Sequence, residues 1–169
     1  MEPKVVSQIE LDVSRLVSSI FIRIDECDRH LLRQFGLTIT QYWALIHLEN
    51  PQGRSLSELA TLLICDKSNV TGVVDRLEKA GLAERKYGKA GDRRYTRVVL
   101  TEQGQQLRRH AKAAREQIIF TRLQSFGVES LEQLSQILQQ LDSLLATQFA
   151  NGEVPRFIEQ AFKQNQIST

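Results

Sequence analysis

The stretch Leu82–Gly104, LAERKYGKAGDRRYTRVVLTEQG, decides how this chain is read. Two strand-like runs, Ala83–Tyr87 and Tyr95–Leu100, flank a glycine-rich turn, Lys89-Ala90-Gly91-Asp92. That order predicts a β-hairpin. Thr101 then opens a helix as its N-cap. From Arg85 to Arg97 there are six basic residues and one acid, a local charge of +5 in a chain whose total is +2. The rest of the chain is therefore slightly acidic. A neutral-to-acidic body with one concentrated cationic protrusion is the electrostatic footprint of a protein that meets a polyanion.

Outward from the hairpin, the signals are helical. On its N-terminal side, Asp66 is placed to cap a helix over Lys67–Ala80 that stops at Gly81. Helical spacing turns Val70, Val73, Val74 and Leu77 toward a core. Ser68, Gly72, Asp75 and Lys79 fall on the opposite face, with Asn69, Thr71 and Arg76 on the flanks. Before it, Ser55-Leu56-Ser57-Glu58 reads as a capping box ahead of Leu59, Leu62 and Leu63, and Cys65-Asp66 makes the turn between the two helices. A further helix begins near Thr38 or Thr40, carries Tyr42, Trp43, Leu45, Ile46 and Leu48, and is stopped by Asn50-Pro51-Gln52-Gly53.

The chain ends are helical too. Ile9, Val13, Leu16, Val17, Ile20, Ile24, Cys27 and Leu31 form one apolar stripe on a long first helix, with Gly36 expected as its C-cap. After the hairpin, Leu107, Ala111, Ala114 and Ile118 mark a fifth helix, broken at Ser125-Phe126-Gly127. Leu131, Leu134, Leu138, Leu141 and Leu145 then form a seam of the kind that associates helices. Phe157–Phe162 is one more short amphipathic segment.

Two helices joined by a tight turn, the second followed by a basic two-stranded wing, make a winged helix-turn-helix. The expected fold is mainly α with a small β-wing. Residues 1–36 form an N-terminal dimerisation helix, 37–100 the DNA-reading lobe, and 101–169 the C-terminal dimerisation helices and tail.

Composition narrows the function classes. At 41% hydrophobic and 25% charged residues the chain is an ordinary globular one. It has no apolar run of the roughly 18 residues that span a bilayer. The N-terminal MEPKVVSQIELDV lacks the basic-then-apolar pattern of a signal peptide. Two cysteines do not make a disulfide framework, so a reducing cytoplasm is expected. There is no nucleophile–base spacing, glycine-rich phosphate loop or paired metal motif, and nothing calls for a cofactor, which argues against an enzyme. Cys27-x-x-His30, with His47 and His110 elsewhere, is a single helical pair and a weak metal signal. A helical adaptor for protein partners, without DNA binding, is the competing non-enzymatic reading.

The exposed face of Lys67–Ala80 suits a major groove, because small polar side chains there can meet base edges and phosphates. An arginine at the wing tip, Arg93 or Arg94, can enter the narrow minor groove, with Asp92 bracing its guanidinium fork. The DNA-facing set is Ser55, Lys67, Ser68, Asn69, Thr71, Gly72, Asp75, Arg76, Lys89, Asp92, Arg93 and Arg94.

The run from Asp66 to Arg85 (DKSNVTGVVDRLEKAGLAER), then Gly91-Asp92-Arg93-Arg94 and Val99–Gly104, resembles the MarR family of bacterial transcription regulators, over about residues 30–150. The resemblance implies a triangular homodimer joined by its terminal helices, with each subunit presenting a winged helix to a palindromic operator. It also implies repression released by a small ligand or an oxidant in most members. Ser68, Asn69 and Thr71 would lie nearest the bases. Many members carry an arginine directly after the threonine, where this chain has Gly72, so base readout here shifts toward Asn69, Thr71 and DNA shape.

Similar proteins bind aromatic or amphipathic effectors between the dimer helices and the DNA-reading lobe. Here His30, Tyr42, Trp43, His47 and Arg115 are the residues suited to such a site, although ordinary core packing accounts for Trp43 as well. Some relatives use a first-helix thiol as a redox sensor. Cys27, on the apolar stripe, is expected to be a buried, inert thiol instead. Cys65 stands beside a helix N-terminus, where a thiol can be activated, yet packing is again the expectation.

Overall fold

The computed structural model describes residues 7–87 and 96–151. The element order is α1 Gln8–Arg33, α2 Ile39–His47, α3 Leu56–Leu63, α4 Lys67–Lys79, β1 Ala83–Lys86, β2 Arg97–Leu100, α5 Glu102–Leu123 and α6 Val128–Ala150. The chain divides into two compact units between Ile119 and Phe120. Lys89, Asp92, Arg93, Arg94, Tyr95 and the Phe157–Phe162 segment lie outside the described residues. None of the described helices is long and apolar enough to cross a membrane.

Local chemistry sets the helix starts. Ser7 with Glu10, Thr38 with Gln41, and Ser55 with Glu58 each form a reciprocal capping box at the head of α1, α2 and α3. Thr101 Oγ1 accepts from the Gly104 amide at 3.0 Å and donates to the Gly81 carbonyl, so it caps α5 and ties it to the end of α4. Asp66 occupies the N-cap of α4 in extended backbone, but its side chain makes no capping hydrogen bond.

The helix ends share one device. Gly36 and Gly81 take left-handed conformations, with φ of +66° and +70°. The Leu37 amide reaches back to the Leu32 carbonyl at 3.0 Å, and the Leu82 amide to the Leu77 carbonyl at 2.9 Å. Gly36 is thus the reversing residue just beyond α1 rather than its cap, which is Gln34. The same reversal ends α3, where the Cys65 amide bonds the Ala60 carbonyl at 3.1 Å, but the left-handed residue is Ile64. A β-branched side chain is costly there, and this one is 85% exposed, so packing does not offset the strain. Ile64→Gly is therefore expected to raise stability by about 0.5–1 kcal/mol, the relieved strain exceeding the entropy glycine adds to the unfolded chain. A urea midpoint that fell, at unchanged slope, would contradict this.

The core lies between α2, α3, α4 and the sheet, around Leu45, Leu48, Leu59, Val70, Val74, Leu77 and Val98, each at most 1% exposed. Leu32 of α1 and Ala111 of α5 close it from outside. In α4 the buried residues are Val70, Val73, Val74 and Leu77, as the helical spacing predicts. β1 and β2 pair antiparallel from Ala83 opposite Leu100 to Lys86 opposite Arg97. One pairing was not anticipated: Arg54 bridges Val98, its amide and carbonyl bonding Val98 at 3.0 and 2.8 Å. That bridge fastens the α2–α3 loop to the sheet.

The terminal helices differ from this lobe. Among the hydrophobic residues of α1 only Leu32, which lies off the predicted stripe, is buried, while Ile9, Leu16, Ile20, Phe21 and Ile22 stand exposed. No residue of α6 is buried, and Ile137, Leu144 and Phe149 are more than half exposed.

Candidate nucleic-acid interface

Packing Val70, Val73, Val74 and Leu77 inward turns the other side of α4 to solvent. Lys67, Ser68, Asn69, Asp75 and Arg76 are exposed there, and Thr71 and Gly72 are half-buried. Thr71 Oγ1 donates to the Lys67 carbonyl at 2.9 Å, so its proton is used within the helix and its oxygen remains an acceptor. Gly72 is not demanded by the fold. A Cβ there would meet only Arg76 Nη1, at an ordinary 3.6 Å. A mid-helix glycine without a packing reason leaves bare backbone in the middle of the exposed face, where another surface can come close.

α3 and α4 open onto a shared cleft of about 440 Å³ lined by Ser55, Leu56, Ser57, Lys67, Arg85, Tyr87 and Thr96. Ser55 is the N-cap of α3 and Lys67 the first residue of α4, so two helix N-termini bring partial positive charge to its edge.

The cationic hairpin is less free than its sequence implies. Arg85 pairs with Asp75 at 2.7 Å and with Glu78, both on α4. Lys86 pairs with Glu84 at 3.3 Å. Arg97 pairs with Glu58 at 3.4 Å and donates to the Gly53 carbonyl at 3.0 Å. Each described basic residue of the hairpin therefore has a carboxylate partner. The turn residues Lys89, Asp92, Arg93 and Arg94 are outside the described set.

A second cluster lies on α2. Tyr42 and Trp43 meet edge to face at 5.3 Å, and Trp43 stacks with His47 at 6.2 Å. The Arg115 guanidinium lies 5.9 Å from the Tyr42 ring centre and 5.1 Å from that of Trp43. It is held by Asp28 of α1, with Nε and Nη2 at 3.0 and 2.9 Å from Oδ2. Burial pushes the Tyr42 hydroxyl pKa up, against the pull of Arg115. Burial, then the charge of Arg54, pushes His47 down, so its ring favours the neutral form. The structure thus gathers Tyr42, Trp43, His47 and Arg115 and adds Asp28, which the sequence did not suggest. His30 is exposed on α1 and takes no part in these ring and ion-pair contacts. Cys27 is exposed rather than buried, because the stripe it belongs to has little to pack on among the described residues. Cys65 is half-buried against the core.

The description "MarR family" applies to the family model that matches residues 37–95, from the start of α2 to the wing. The transcriptional repressor MprA of Escherichia coli strain K12 is 29% identical over 147 residues, covering 86% of this chain and 83% of that one. AbsC, a MarR family transcriptional regulator from Streptomyces coelicolor, is 26% identical, with a TM-score of 0.76 over 86% of this chain and 100% of that one. CouR has been solved on a 23-mer DNA duplex (26% identity, TM-score 0.69, 82% and 99% coverage). CouR from Rhodococcus jostii RHA1 has also been solved with p-coumaroyl-CoA (27% identity, TM-score 0.68, 80% and 95% coverage).

Proposed function

We propose that the chain is a DNA-binding transcriptional regulator of the MarR family, a homodimeric repressor of a palindromic operator released by an aromatic or amphipathic effector. The observation that carries the proposal is the polar, core-anchored outer face of α4 beside a cleft onto which two helix N-termini open. Ser68, Asn69 and Thr71 face base edges, and Ser55 and Lys67 hold phosphates at the helix starts. Arg93 and Arg94 of the wing turn reach the minor groove.

The exposed apolar faces of α1 and α6 support pairing with a second copy, since monomeric proteins rarely leave such rows in water. Residues 1–36 and 101–169 would then serve association and 37–100 reading. The effector site proposed is the cluster of Tyr42, Trp43, His47 and Arg115, where a guanidinium over two rings suits a planar acid. CouR, solved with an aromatic acyl thioester, supports that class of ligand. The expected site of action is the cytoplasm.

The test is a gel-shift series on a duplex that the wild-type chain selects from a randomised library. Arg94→Ala should weaken binding and flatten the dependence of log K on log salt by about 0.9 for each phosphate no longer neutralised. Undiminished binding with an unchanged slope would remove the wing from the mechanism, and a monomer in sedimentation would overturn the palindrome.

A further inference from the structure

Arg85 belongs to the most basic stretch of the chain, but its geometry is that of an internal brace. Its side chain is 17% exposed, against 49% for Asp75 and 29% for Glu78. One Nη2–Oδ1 contact of 2.7 Å joins it to Asp75, and Nη1 meets the Glu78 carboxylate. The Arg85 amide also donates to Glu78, at 2.9 Å to Oε1. One residue of β1 therefore bonds two carboxylates a turn apart on α4, through backbone and side chain together. Two negative charges on a DNA-reading helix are a liability, since each repels phosphate. Arg85 pairs with both and offsets one of the two charges, and its planar fork fixes direction as well as charge.

We propose that Asp75 and Glu78, with Arg85, are positioning residues that set the angle between α4 and the wing, and that Asp75 acts on DNA only through this brace. The inference rests on the DNA-binding reading. It opposes the expectation that Asp75 itself touches DNA, and it withdraws Arg85 from the cationic surface of the hairpin. Arg97, tied to Glu58 of α3 and the Gly53 carbonyl, steadies β2 from the other side.

The two accounts differ in sign. On charge alone, Asp75→Asn removes a carboxylate from the DNA-facing helix and should tighten binding to every duplex. As a brace, it should weaken binding to the selected duplex about tenfold, the scale of one charged hydrogen bond. Binding to unselected genomic DNA fragments should not weaken, and Asp75→Glu should restore part of the affinity. Arg85→Met should lower affinity for the selected duplex and leave the salt slope unchanged, because Arg85 neutralises no phosphate. Tighter binding by Asp75→Asn, or a slope reduced by about 0.9 or more in Arg85→Met, would overturn the brace. Asp75→Asn is a near-isosteric change at a half-exposed site, so it remains informative if Arg85→Met fails to fold. A wild-type chain that selects no duplex would overturn the regulator reading itself, and the brace with it.

Discussion

Gly104→Ala is expected to destabilise the protein by about 2–4 kcal/mol, although the same exchange inside most helices is favourable by about 1 kcal/mol. A Cβ at 104 would stand 1.9 Å from the Leu82 carbonyl oxygen and 2.8 Å from its carbon. The obstacle is backbone, so no side-chain rotation relieves it. Leu82 is itself fixed: its amide bonds the Leu77 carbonyl at 2.9 Å and its carbonyl accepts from Thr101 at 3.2 Å. Restoring an ordinary contact requires a shift of about 1.5 Å between α5 and the end of α4, which a close-packed core resists. Gly72→Ala is the internal control, since its Cβ would meet only the flexible tip of Arg76 at 3.6 Å. That variant should gain up to about 1 kcal/mol. Urea unfolding of the two variants should thus move in opposite directions, and a shared direction would refute the steric account.

The second large effect is expected at Arg115→Met, a destabilisation of about 2–3 kcal/mol. Asp28 is 7% exposed, and Arg115 places two guanidinium nitrogens on its Oδ2. Methionine keeps the apolar stem against Tyr42 and Trp43 but leaves a carboxylate in the interior without that cation. Removing one partner of a buried pair costs more than the pair itself contributes. Full burial would set the figure nearer 3–5 kcal/mol, but the Arg115 side chain is 21% exposed, which lowers it to about 2–3 kcal/mol. Combining Arg115→Met with Asp28→Asn should then cost less than the sum of the two single changes, by about 1 kcal/mol or more. Additive effects in a double-mutant cycle would show that the two groups act separately.

Sequence carried the helices α2 to α4 and the paired strands well, for local reasons. Ser55 and Glu58 stand three residues apart and declare a helix start. Val70, Val73, Val74 and Leu77 share a face by arithmetic. What it could not convey depends on pairs distant along the chain. Asp28 and Arg115 are 87 residues apart, and no pattern links a carboxylate on α1 to a guanidinium on α5. Arg54 and Val98 pair across 44 residues, through a bridge too short to leave a strand signature. Asp75 was legible as an outward residue, but its partner arrives from β1 after the chain reverses at Gly81. Cys27 shows the converse: its stripe was legible, but a stripe on a helix does not say whether the partner surface belongs to the same chain.

The connections around the wing have a mechanical consequence. Only Ala80, Gly81 and Leu82 separate α4 from β1, and Thr101 alone separates β2 from α5. Both junctions are stitched, the first by the Leu82–Leu77 bond and the second by the Thr101 hydroxyl on the Gly81 carbonyl. The described strands are thereby linked closely to the root of a 22-residue helix, which at 1.5 Å per residue runs about 33 Å. α5 is in effect a crank: a tilt of about 5° at its hub sweeps its rim through about 3 Å over that length.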